Sequence, residues 1–114
     1  MKLPRLLLCF ALAACAGVLC AGRGPGDVFQ IVNQTGHTVT VYLFADGKAH
    51  TNPAGGVKAQ ATPLANGGTA RASIQNCPFS ILLVDGQDVW HAEIPDFSKA
   101  VQVFTKDTGH AKLH

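Results

Sequence analysis

The side chains able to do chemistry are few: five histidines, four cysteines and, among seven acidic residues, one glutamate, Glu93. Imidazole is a good ligand for copper or zinc, which makes His37, His50, His91, His110 and His114 the candidate metal ligands. Only His110 and His114 have ligand spacing, since an i, i+4 pair on a helix presents both rings on one face. They fall in the last five residues, where a lone helix is unstable, so the default expectation is solvated loop histidines. Cys77, held at a strand entrance by Pro78, pairs with His91 as a hypothetical nucleophile and base. No cysteine-enzyme signature surrounds either residue, and an inert, buried thiol is the simpler expectation. Asp27, Asp46, Asp85, Asp88 and Asp107 all sit at turns or strand ends, where a carboxylate bonds its own backbone. Gly24-Pro25-Gly26 and Asn66-Gly67-Gly68 are too short, and lack the following helix, to cradle a phosphate. Asn33-Gln34-Thr35 matches an N-glycosylation sequon but reads as a turn. The chain is therefore expected to be no enzyme and to carry no cofactor.

Three of the four cysteines, Cys9, Cys15 and Cys20, lie in a different kind of segment. Lys2 and Arg5 precede a stretch from Leu6 to Ala21 that has no charged residue and ends in small side chains. A basic start, an apolar centre and small residues at the end predict a signal peptide over residues 1–22, followed by a short linker at 23–27. Cleavage after Ala16, Ala21 or Gly22 fits the small-residue rule. Leu12-Ala13-Ala14-Cys15 also resembles a lipobox, in which Cys15 would be acylated and the domain tethered to a membrane. The expected location is thus outside the cytoplasm, in a periplasm or cell envelope, or extracellular. Without Lys2 and Arg5 the formal charge of +2 disappears, leaving seven basic against seven acidic residues. A neutral domain offers no footprint for nucleic acid, and none for a membrane unless Cys15 is lipidated. One remaining cysteine cannot form an internal disulfide.

What must position these residues is β-structure. Gly-, Asn- and Asp-rich punctuation separates short runs of Val, Ile, Thr and Phe, and no helical apolar period is seen beyond the leader. Seven strands are predicted, at 28–33, 38–45, 57–62, 69–75, 78–84, 89–94 and 99–105, with the first two joined as a hairpin through Asn33 to His37. The strand carrying Ala70 and Ala72, like the preceding one, has a thin inner face, so Phe79, Trp90 and Phe104 must supply bulk. The expected architecture over 28–105 is all-β: a small antiparallel two-sheet sandwich or partly open barrel of six to seven strands. Residues 106–114 are expected to be a flexible polar tail.

Phe29-Gln30-Ile31-Val32-Asn33-Gln34-Thr35-Gly36, then Leu64-Ala65-Asn66-Gly67-Gly68, Cys77-Pro78-Phe79-Ser80 and Val84-Asp85-Gly86 form an ordered set of short motifs. In that order the chain resembles small exported bacterial β-sandwich proteins of largely unassigned function, with an x-N-x-T-G start and a Cys before an aromatic strand. In that group a second cysteine often follows the penultimate strand, where this chain has Asp96-Phe97-Ser98. The resemblance implies a bacterial envelope setting.

One surface stands out. Tyr42 and Phe44 oppose Val39, Val41 and Leu43, while Leu82 and Val84 oppose Phe79, Ile81 and Leu83. A sheet apolar on both sides is either covered twice or exposes a binding face. The functional expectation is a non-enzymatic binding or interaction protein whose apolar face, Tyr42, Phe44, Leu82 and Val84, takes an unknown protein, a small apolar ligand or a second copy of the chain. Metal handling through the histidines and a structural or adhesive role through Cys15 are the alternatives. If the 46–56 segment or the tail folds over that face, the surface is core instead.

Overall fold

The computed structural model describes residues 28–114; the predicted leader, its cleavage site and Cys15 lie outside them. Eight strands form two sheets, with β1 Val28–Gln34, β2 Thr40–Phe44, β3 Val57–Lys58, β4 Thr69–Ser73, β5 Phe79–Asp85, β6 Asp88–Ile94, β7 Val101–Thr105 and β8 His110–Lys112. The smaller sheet has the order β4-β1-β7 and the larger β3-β2-β5-β6-β8. The domain is all-β, as the alternation predicts, in two separate sheets.

Alternation assigns the faces, and burial follows it. Phe29 and Ile31 from β1, Ala70 and Ala72 from β4 and Phe104 from β7 meet Val41, Leu43, Phe79, Ile81, Leu83, Trp90 and Ile94 of the larger sheet in one core. The thin alanine face of β4 is matched by aromatic bulk, and Phe29 meets Phe79 edge-on at 5.2 Å between ring centres. Such aromatic pairs are favoured electrostatically as well as by burial. Trp90, also fully buried, donates its indole N–H to the Lys106 carbonyl at 3.0 Å.

Four expectations need correction. β1 and β2 are not a hairpin: they lie in different sheets, and the chain arches between them. The cause is Asn33, completely buried, whose amide donates to the carbonyls of His37 (2.7 Å) and Leu64 (3.0 Å). Its Oδ1 accepts from the Thr35 backbone N–H (3.0 Å) and hydroxyl (2.7 Å). Anchored to Leu64, the turn leads away from β1 instead of folding back along it. The sequon amide is therefore wholly used in holding this arch. The sheet pattern is also mixed, because β1 pairs β4 antiparallel but β7 parallel, with Gln30 beside Val101 and Val32 beside Val103. Finally, the tail is not free. β8 pairs with β6, setting Ala111 beside Val89 and His110 beside Trp90. The strand predicted at 57–62 is only two residues long and pairs with β2.

Candidate functional site

Register places Tyr42 beside Leu82 and Leu82 beside His91 on the outer face of the larger sheet, with Thr40, Val84 and Val89 in the next row. The predicted apolar face thus exists as a contiguous patch. It is not an open surface. Leu82 is 0% and Phe44 5% exposed, and together with Val89 they form a second small core against which Tyr42 and Val84 pack.

Two straps from the chain itself make this cover. In the 46–56 segment, His50 stacks on Phe44 with ring centres 3.8 Å apart and planes 11° from parallel. Gly56 also presses on that ring, where a Cβ would stand 2.7 Å from Cζ. The second strap is the C-terminal segment, which brings Ala111 and Leu113 onto the patch. Gly109 admits it, having φ +54° and no room for a Cβ, which would lie 2.1 Å from the His91 carbonyl oxygen. The straps bind each other as well: the His114 N–H donates to the Thr51 carbonyl (3.1 Å) and Asn52 Nδ2 to the His114 carbonyl. The expectation of a binding face at Tyr42, Phe44, Leu82 and Val84 is corrected accordingly, because the chain spends that hydrophobic area on its own fold.

The histidines are paired with carboxylates. His37 Nδ1 lies 2.8 Å from Asp85, His50 Nε2 3.0 Å from Asp46, His91 Nδ1 2.8 Å from Glu93 and His110 Nε2 3.0 Å from Asp88. Asp88 also accepts from Lys112 at 2.7 Å. The Lys112 hydrogen bond, with that of His110 second, holds the Asp88 carboxyl below the usual carboxylate range. Asp46 is likewise lowered, first by the Lys48 backbone N–H and then by His50. His37 and His110 both pack on Trp90, at 5.0 and 5.2 Å. No group of three or more His, Cys, Asp or Glu is arranged to hold a metal ion among the described residues. His110 sits in an extended strand with His114 beyond it, so their spacing does not stack two imidazoles on a helix face. Cys77 is half-buried and packs against the inner core. His91 alternates with Trp90 and so faces outward. The hypothetical pair of Cys77 and His91 is therefore divided between the two faces of the larger sheet.

Among the described residues, apolar surface also meets solvent in two other places. On the outer face of the smaller sheet, Val28, Val101 and Val103 are exposed, interspersed with Gln30 and Thr69, with Arg71 at the β4 edge. The other is concave. Between β3 at the edge of one sheet and β4 at the edge of the other there is a cleft of about 240 Å³. Leu43, Ala59 and Ala72 provide apolar wall, while Lys58, beside Tyr42 on the outer side of the larger sheet, and Arg71, beside Gln30 on the outer side of the smaller one, border it from its two edges. Lys58 and Arg71 form no ion pair among the described residues. Sequence reasoning missed this cleft. Its one legible signal was the alanine-thin strand, which demands bulk opposite, and that bulk stops short of the sheet edge.

No helix among the described residues is long and apolar enough to cross a membrane. No known protein family, curated protein or solved structure matches the chain.

Proposed function

We propose that the chain is an exported, non-catalytic binding domain of a bacterial cell envelope, and that it binds through the open seam between β3 and β4. The observation that carries this reading is the cleft itself, a concave site of mixed polar and apolar lining whose two cationic side chains form no ion pair among the described residues. Small-molecule sites are concave and mostly apolar with a few polar groups to orient the ligand. Other chemistry-bearing groups have structural work: four histidines pair with carboxylates, Asn33 holds the arch, and Trp90 anchors to Lys106. The export half of the proposal rests on the basic start and uncharged apolar stretch of residues 1–22.

One experiment tests both halves. The full chain is expressed in a bacterium, the cells are fractionated, and the protein recovered outside the cytoplasm is weighed intact under native and denaturing conditions. The expected result is a processed chain in the envelope fraction carrying a small-molecule adduct that denaturation releases. An unprocessed chain in the cytoplasm would overturn export. An adduct-free chain whose seam backbone signals do not respond to a panel of small amphiphiles would overturn the binding reading.

A further inference from the structure

Resting on the binding reading above, we infer that the seam between β3 and β4 selects a small amphipathic anion, an acyl or aryl carboxylate whose tail enters the cleft and whose head lies between Lys58 and Arg71.

The tail requirement comes from the walls. Leu43 and Ala72 are core residues, 3% and 7% exposed, yet both border the cleft, and Val57 stands 43% exposed at its rim. The exposed area of Val57 gains from being removed from water, over a floor of nearly buried Leu43 and Ala72. The cleft exists because β3 is only two residues long and β4 contributes alanine where the rest of the core has Phe, Ile or Leu. Its volume of about 240 Å³ corresponds to about eight water molecules at their share of liquid volume. That bounds the tail: room for a medium-length chain or one aromatic ring, and none for a folded peptide.

The head requirement comes from the lips. Lys58 and Arg71 line the cleft, and no Asp or Glu lines it with them among the described residues. Each also lies on a strand with a single partner, β3 on β2 and β4 on β1. The outward backbone groups of two sheet edges therefore border the same opening, adding N–H donors to the two cations. A carboxylate satisfies both kinds of donor, and charge-assisted bonds to it are the strong ones. A cationic head would meet two like charges instead.

The test uses octanoate, octanol and octylammonium with the full domain, each titrated while amide signals of β3 and β4 are followed by NMR. The expected result is that octanoate shifts signals on both strands and binds at least about tenfold more tightly than octanol, with octylammonium weakest. The double variant Lys58→Glu with Arg71→Glu alters two edge-strand side chains and should invert the order, making octylammonium the tightest. The tryptophan spectrum from buried Trp90 checks that the variant is folded. If octanoate and octanol bind the seam equally, and the variant changes neither, the anion inference fails while the binding reading stands. If none of the three perturbs β3 and β4, both fail.

Discussion

Leu82→Ala isolates the claim that the outer face of the larger sheet is core. Leu82 is fully buried, on the central strand β5, under Phe44, Val89 and the two straps. Truncating a buried leucine removes its transfer free energy and leaves a cavity, together about 2.7–5.0 kcal/mol. The outer core is small and partly roofed by Ala111 and Leu113 on a three-residue strand, so the roof can settle into part of the void. The lower part of the range, about 3 kcal/mol, is expected. For a domain of this size that is a fall in melting temperature of about 12–24 °C. Urea unfolding at constant m-value measures it directly. The same substitution in a chain ending at Thr108 should cost about 1 kcal/mol less, because the truncation has already exposed part of the site, and contacting residues are non-additive. A cost under about 1 kcal/mol for Leu82→Ala in the full chain would refute the covered face. A cost unchanged by the truncation would show that the tail contributes nothing to it.

Further expectations follow from the arch and the ion pairs. Asn33→Ala removes four hydrogen bonds from a buried site and leaves the buried Thr35 N–H without its acceptor, so unfolding experiments should register a loss of about 2–4 kcal/mol. Gly109→Ala should destabilise the β6–β8 pairing, detected as faster amide exchange at Ala111 and Leu113, whose N–H donates to the Gln87 carbonyl; unaltered exchange there would contradict the close approach to His91. The Asp88 carboxyl is lowered in the fold, so its stabilising effect is fully present above its ordinary pKa near 3.8 and is lost as pH falls below that value. Wild type and Asp88→Asn should therefore differ in stability at pH 6 and converge toward pH 2, as followed by denaturation at a series of pH values.

The positions of most strands were legible because alternation is local: Phe29 and Ile31, or Trp90 and Ile94, declare a face without reference to anything distant. Their partners were not. Thr35-Gly36 ends a hairpin or an arch equally well, and the choice rests on a bond from Asn33 to Leu64, thirty-one residues away. The double-sided apolar character of β5 allowed either a covered or an exposed face, and the sequence contained the resolution in a weak form. Ala111 and Leu113 alternate with His110, Lys112 and His114, a two-period signal too short to stand out in a polar tail. The cleft was illegible for a different reason: it is made by what β3 and β4 lack in length and side-chain volume, and missing bulk has no residue to name it.

The parallel pairing of β1 with β7 has a consequence in time. Val28–Gln34 emerges first, yet its flank is completed only by a strand about seventy residues later. The first strand made must wait for nearly the last, and the arch at Asn33 must wait for Leu64. Topologies dominated by such distant pairings fold in milliseconds to seconds rather than microseconds. For a chain threaded across a membrane before folding, as proposed above, slow closure of this kind would lengthen the time in which the polypeptide can pass unfolded.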